Sequence, residues 1–445
     1  MNITVVRAIA LETLAALSDA ELNGCRLPSG FPFHLDADTQ TIVEPVFQYL
    51  WDRHINHSTR YVANTALAEA DDLRDWYAYL SHFKLAWNEV TRDEIVEYRD
   101  LMTTLVSPRT HELYSNKTIN RRLGTVLNFY RHFNKQKVTA VDVGNIPSEV
   151  QAPIDQQALA HISTCRRRLN NELLLPIDSA PDDEVRAMNK RQYRLVAHAL
   201  GPLPGHQKAD LRPTRDRLWA ELCLHTGMRP DEPAHLTIHS ILDLSPENPD
   251  NPLGVTYLKI VGKGNKSRKV ELPNAVLKWL HWYIDHERKA AIAEGRRRGV
   301  ITGRDPVALF VNGVAATHNA GRTAQYGSFQ DAFRQAVLAA DAADGQTAGL
   351  MRTVQKIDPI TKQLYTQKEP AFSPHCLRHT FAVWTYLAEK QAGNSEPWKR
   401  IQVLLGHAHL STTMNTYLRI ASECEAQLSD RAQGYLTDLL NRGQE

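Results

Sequence analysis

The sequence predicts a mainly α-helical protein with a small antiparallel sheet in its second half, an α+β arrangement spread over two domains. Three observations predict it. Segments in both halves place apolar residues near a 3.6-residue period, as helices with one buried face do. A strand pair, "GVTYLKIVGKG" and "SRKVELP", is joined by a Gly-Asn-Lys turn. Between the halves, residues 141–184 are turn-rich and carry prolines, as a linker does, and 445 residues exceed one ordinary domain.

The elements follow in order. Residues 1–37 read as a leader: "MNITVVRAIALETLAAL" predicts a short amphipathic helix, and "LPSGFPF" breaks it. Arg7 and Glu12 interrupt its apolar run, and no basic n-region or cleavage site marks a signal peptide. Residues 38–140 predict a compact all-helical domain. "VEPVFQYLWDRH", "TALAEADDLRDWYAYLSHF" and "TRDEIVEYRDLMTTLV" are its first helices, the last opened by a Thr91–Glu94 capping box. The next helix, within 116–137, puts Ile119, Leu123, Val126, Leu127 and Tyr130 on one face. Arg121, Arg122 and Arg131 lie mostly off that stripe, and with Lys117, Lys135 and Lys137 they make a basic side without an acid. The linker holds one short basic helix, near Ile162 to Asn171. The second domain, 185–445, predicts helices near 186–199 and 213–226, then the strand pair. Helices at 274–294 and 327–342, an extra hairpin within 345–371 turning at Asp358-Pro359, and closing helices follow.

Composition narrows the class. With 42% hydrophobic and 23% charged residues the chain is globular, and no run of 18 apolar residues predicts a membrane span. The five cysteines are scattered, odd in number and without a CxxC pair, which fits a reduced, cytoplasmic setting. The net charge of +2 is small, but basic clusters such as Arg166 to Arg168 and Arg296 to Arg298 point to a polyanion. Charge alone leaves solvated helix faces equally in play.

Four segments of the second domain carry reactive residues. "HTGMRPDEPAHL" holds Arg229 after a glycine turn and Glu232 three residues on. "VGKGNKSRKVELP" holds Lys263 at the hairpin tip. "SPHCLRHTF" sets His375 and Arg378 one helical turn apart, on one face. "GHAHLSTTMNTY" holds His407 and Tyr417. Such a set suits a phosphodiester. Arginine forks grip phosphate oxygens and would stabilise the extra charge of a pentacoordinate transition state. A phenol with a pKa of about 10 needs nearby cations and a base before it attacks. A lysine can protonate the leaving 5′ oxygen, and attack by Tyr417 would leave a 3′-phosphotyrosyl link that conserves the ester's energy without ATP. No acidic metal cluster is seen, so neither metal nor cofactor is expected.

With these residues placed, the chain resembles the tyrosine recombinases of the phage integrase family. The family's order of Arg, Lys, His-x-x-Arg, His/Trp and Tyr is met by Arg229, Lys263, His375, Arg378, His407 and Tyr417. The contexts "TGMRPDE", "GKGNKSR", "PHCLRHTF" and "LLGHAHLSTTMNTY" match too. Glu232 stands at the family's frequent acidic position, as a supporting residue. Tyr417 lies ten residues after His407, where many members have nine. The segment "SNKTINRRLGTVLNFYRHF" resembles part of the family's SAM-like core-binding domain. The resemblance covers roughly 40–440 and does not carry the leader, the linker or the 345–371 hairpin.

What it implies is a C-shaped, two-domain clamp on double-stranded DNA, with Lys117, Arg121, Arg122 and Arg131 as DNA contacts. Arg229 and Arg378 would bind the scissile phosphate, Lys263 would be the general acid, His375 the base for Tyr417, and His407 a phosphate donor. Two protomers would bind each core site and four would form the synaptic complex, docked through an apolar-striped helix at 424–441. Accessory DNA-bending proteins are a further partner class, and the setting would be cytoplasmic and nucleoid-associated. Integration or excision of a mobile element is the expected role.

Competing readings are weaker. His407 and His409 on a helix point roughly 200° apart and cannot chelate one metal together. Tyr435 shares an apolar stripe with Leu428, Leu436 and Leu439, and His379 reads as a packed histidine. A type IB topoisomerase-like enzyme shares the chemistry but relaxes supercoils as a monomer, and the helical core-binding domain argues against it. A telomere-resolving enzyme would give hairpin products. A DNA-binding regulator with a disused site would be expected to have lost part of the six-residue set.

Overall fold

The computed structural model describes residues 3–8, 27–58, 61–144, 171–177, 186–205, 210–262 and 267–406. The chain divides into two units, 1–180 with 355–365, and 181–354 with 366–445. Among the described residues no helix is long and apolar enough to cross a membrane.

Residues 3–7 form a strand where the leader was expected to begin a helix, and the rest of that expected helix lies outside the described residues. β1 (Ile3–Arg7) pairs antiparallel with β2 (Pro32–Asp36), Ile3 opposite Asp36 and Arg7 opposite Pro32. The reason is local: Ile3, Thr4, Val5 and Val6 are β-branched and stiff at χ1, so they favour the pleated surface over a helix. Ile3 and Val5 pack against the unit's core, in which Phe31 is wholly buried. These residues therefore belong with the helices that follow, α1 (Glu44–Trp51), α2 (Ala63–Phe83), α3 (Arg92–Thr104) and α4 (Asn116–Lys135). The Thr91–Glu94 capping box forms at the start of α3. The α4 stripe of Ile119, Leu123, Val126, Leu127 and Tyr130 is buried throughout. The Trp76 Nε1–H donates to the Tyr130 hydroxyl at 3.2 Å, and that hydroxyl donates to the Trp87 carbonyl at 2.9 Å, so the polar tips of Trp76 and Tyr130 are both satisfied.

Part of the linker is also built into this unit. Val141 and Leu173 are buried in its core, and the Asn171 side-chain amide donates to the Val143 carbonyl at 2.8 Å. The predicted basic helix near 162–171 lies, apart from Asn171, outside the described residues.

In the second unit, α5 (Lys190–Leu200) precedes α6 (Arg215–Thr226). Residues on every side of α6 are buried, among them Leu218, Trp219, Leu222, Cys223 and Leu224, as expected of a helix at the centre of a fold. Trp219 stacks between Phe310 and Phe329, with ring centroids 4.8 and 5.0 Å away. After the short α7 (His239–Leu242), the predicted strand pair appears as β3 (Val255–Val261) and β4 (Ser267–Pro273), antiparallel with Ile260 opposite Arg268. The helix expected over 274–294 is α8 (Asn274–Tyr283), a π turn at Ile284–Arg288, and α9 (Lys289–Arg297). α10 (Tyr326–Ala343) leads to the expected extra hairpin, β5 (Met351–Ile357) and β6 (Leu364–Pro370), whose tip, 355–365, belongs to the first unit. At its turn the Asp358 carboxylate accepts the Ile360 and Thr361 amides at 2.8 and 2.7 Å. α11 (His375–Gln391) and α12 (Pro397–Leu405) end the described chain.

Candidate functional site

The central helix α6 delivers the first motif. It ends at Gly227, whose φ of +66° is left-handed, and a Cβ there would lie 2.5 Å from the Phe381 ring on α11. Only glycine meets both conditions, so the chain can reverse beneath α11 and present Arg229. Three residues on, the Glu232 carboxylate is nearly buried, with its side chain 3% exposed. It accepts the Arg229 backbone amide at 2.7 Å and Arg229 Nη1 at 3.1 Å. Arg268 of β4 grips both its oxygens, Nη1 to Oε1 and Nη2 to Oε2, each at 2.7 Å. Burial would raise the Glu232 pKa, but the Arg268 and Arg229 contacts outweigh it and hold the carboxyl below its usual range. The folded pKa being depressed, this stabilisation is present above the unfolded value near 4.5 and fades as pH falls through the carboxylate range.

The third motif closes the site. α11 begins at His375, and Arg378, 2% exposed, sits one turn in. Its Nη1 donates to the Gly227 carbonyl and its Nη2 to the Leu405 carbonyl at 2.8 Å. One guanidinium thus ties the end of α6, the start of α11 and the end of α12. Leu405 is two residues before His407 in the chain.

His375 has its pKa lowered, first by burial and then by the charges of Arg378 and Arg229, with Asp231 opposing. Its ring meets His379 edge to face, centroids 4.8 Å apart. A neutral imidazole is the form that accepts a proton. The acid limb of the cleavage pH profile is therefore expected below the ordinary histidine value of 6.5, and Arg229→Gln should raise it. Single-turnover cleavage rates from pH 4.5 to 8 would check this; a limb above 6.5 in the parent would count against His375 as the base.

Beside His375 and His379 opens a cavity of about 720 Å³ at the foot of the β5–β6 hairpin. Arg186, Arg334, Arg352 and Lys368 line it, and Glu369 is the one acid among its described lining residues.

The structure brings Arg229, Glu232, His375 and Arg378 together as the sequence predicts. Lys263, His407, Tyr417 and the 424–441 helix lie outside the described residues. Arg268 is a site residue that sequence reading missed. Its signal was the two-residue alternation of β4, which turns Arg268 inward with buried Val270 and Leu272 while Ser267 and Lys269 face out. The basic face expected on α4 keeps Lys117 and Arg121 exposed, but its arginines also have partners inside the unit. Arg121 Nη1 is bonded to Asp72, and Arg122 Nη1 to Asp75 at 2.6 Å, with its guanidinium 4.4 Å from the Tyr114 ring centre. Arg131 is half-buried and donates to Asn128 at 2.6 Å. The carboxylates come from "ADDLRD" on α2, a partner that α4's own sequence does not contain.

With the arginines, the buried glutamate and the histidine in one place, comparison with known proteins decides the class. A model of the phage integrase family matches residues 194–423, more than half of the chain. The chain belongs to the phage integrase family. It is a tyrosine-class, site-specific recombinase, an enzyme that breaks and rejoins DNA strands. The recombinase is 23% identical over 374 residues to tyrosine recombinase XerD of Oceanobacillus iheyensis, covering 84% of this chain and 92% of that protein. It is 24% identical over 374 residues to XerD of Staphylococcus aureus, with the same coverage. Solved structures similar to the recombinase include XerH bound to a palindromic difH substrate, at 17% identity and a TM-score of 0.48 over 87% of this chain and 88% of that one. Another is the Tn1549 transposon integrase with circular intermediate DNA, at 16% identity and a TM-score of 0.45 over 86% and 98%.

Proposed function

We propose that Tyr417 is the recombinase's nucleophile. Its phenolic oxygen attacks the scissile phosphorus and the phosphorus–O5′ bond breaks. The phenol proton passes to His375, and the departing 5′ oxygen takes a proton from Lys263. A 3′-phosphotyrosyl ester remains, and attack by another strand's 5′ hydroxyl reverses these steps and rejoins DNA. Arg229 and Arg378 supply fixed positive charge where the phosphorane's negative charge grows, and His407 donates to a phosphate oxygen. The observation that carries this reading is the Arg378 fork, which holds the chain leading into Arg229 and the chain leading into His407 from one point. Trapping on a nicked suicide duplex and mapping of the crosslinked peptide test it. The nucleotide is expected on Tyr417, and an adduct on Tyr435 would overturn the assignment.

The partner in this reading is double-stranded DNA. The cationic cavity beside His375 takes backbone phosphates of the strand being cut, and from α4 the exposed Lys117 and Arg121 contribute. Because each neutralised phosphate contributes roughly −0.9 to the slope of log K against log salt, Arg334→Gln and Arg352→Gln are each expected to flatten that slope by about 1. Anisotropy titrations over a range of salt would show this, and an unchanged slope in both variants would remove the cavity from the DNA path.

Self-association completes the reading: protomers pair on each core site and four assemble for synapsis through the 424–441 helix. Deleting residues after 424 should leave the monomer's unfolding transition intact and abolish tetramers on DNA in sedimentation experiments. Tetramers formed by the truncated chain would refute the role of that helix. The linker and leader beyond the family's motifs favour a mobile element's integration or excision as the setting, in the cytoplasm at the nucleoid.

A further inference from the structure

We propose that Arg268 is a positioning residue that anchors the chain at Gly262, immediately before Lys263, to the Arg229 loop, so that general-acid catalysis by Lys263 depends on it; this rests on the catalytic roles proposed above. Three contacts point to it. Arg268 holds Glu232 by two parallel bonds, both 2.7 Å, and Glu232 in turn holds the backbone and guanidinium of Arg229. At Gly262 a Cβ would fall 2.7 Å from Arg268 Nη1, 2.9 Å from Glu232 Oε1 and 3.5 Å from Arg229 Nη1. At Gly406 a Cβ would fall 2.6 Å from Arg268 Cδ. The side chain therefore lies against the backbone at two points. One is the residue immediately before Lys263, and the other is the residue immediately before His407.

The chemistry of the pair suits the task. A planar guanidinium bonded through both nitrogens to a carboxylate has one orientation, whereas an ammonium pivots about a single point. Arg268 is 14% exposed and its carboxylate partner 3%, so water competes little for either. β4 carries Arg268 only five residues beyond Lys263, on the returning strand of the same hairpin. Locking Arg268 to Glu232 thus anchors the hairpin to the Arg229 loop. Fixing the chain immediately before a general acid limits its misplacement, and small misplacements of a general acid slow the chemical step steeply.

A leaving group that needs no proton separates positioning from mere structural support. In a suicide duplex with sulfur at the bridging 5′ position, the departing thiolate leaves unprotonated. Full-length parent, Lys263→Ala, Arg268→Gln and Arg268→Lys would be compared on oxygen and sulfur duplexes under single-turnover conditions, with urea unfolding as the folding control. On oxygen, Lys263→Ala and Arg268→Gln should each lose about 100-fold or more, the scale of one general acid. On sulfur, Lys263→Ala should recover most of its loss and Arg268→Gln at least about tenfold. Arg268→Lys, which keeps the charge without the fork, should fall between the parent and Arg268→Gln on oxygen, and it carries the test if Arg268→Gln fails to fold. Equal losses on both duplexes for the Arg268 variants, with Lys263→Ala rescued, would overturn the positioning role alone. Failure of sulfur to rescue Lys263→Ala would overturn the general-acid assignment, and the proposal with it.

Discussion

A Tyr417→Phe recombinase is expected to give no covalent protein–DNA adduct on nicked suicide duplexes while keeping the parent's salt-dependent DNA binding. The change removes one oxygen, the atom that would bond to phosphorus, and keeps the aromatic ring. Removal of a nucleophile in a covalent mechanism lowers turnover by up to about 10⁶-fold, below the detection of a denaturing gel. Affinity should move by less than about threefold, because it rests on phosphate contacts made by basic side chains. The duplexes should come from the ends of the DNA element that encodes the chain. An adduct that persists in the variant would place the nucleophile on another residue.

The second large effect is expected at Arg378. Arg378→Ala leaves the Gly227 and Leu405 carbonyls without this donor in a buried place, at about 1–3 kcal/mol each. Together the two losses give an expected destabilisation of about 2–6 kcal/mol. Arg378→Lys retains the charge, but one ammonium cannot reproduce a planar fork between carbonyls on two separate segments. It should therefore keep most of the stability and lose about 10²–10³-fold in cleavage, the scale of one donor to a developing oxyanion. Urea unfolding and single-turnover trapping measure the two effects separately. An alanine variant as stable as the parent would show that the fork is not what joins α6, α11 and α12.

How much of this was legible depended on whether the signal was local. The stripe of α4, the Thr91–Glu94 capping box, the β3–β4 hairpin and the one-turn spacing of His375 and Arg378 arise from neighbours within a few residues, and each is present in the structure. Residues 3–7 failed because an apolar stretch of that length suits a helix or a strand, and the choice fell to β2 some thirty residues away. The partners of the α4 arginines were hidden for a related reason. Off-stripe arginines read as solvent-facing, yet Asp72 and Asp75 on α2 lie across the helix contact. Arg268 was visible as an inward position of β4, but an inward arginine has no meaning until its acid is known.

The sequence by itself determined which groups are present and in what order, and hence the class of reaction they suit, because functional-group identity is a property of the residue and not of its neighbours. Only the tertiary structure decided which charges are engaged. It set Glu232 between two arginines, Arg378 between two carbonyls, and Arg121 and Arg122 against α2. Ion pairs and buried hydrogen bonds form between residues distant along the chain, so their partners follow from packing and not from spacing.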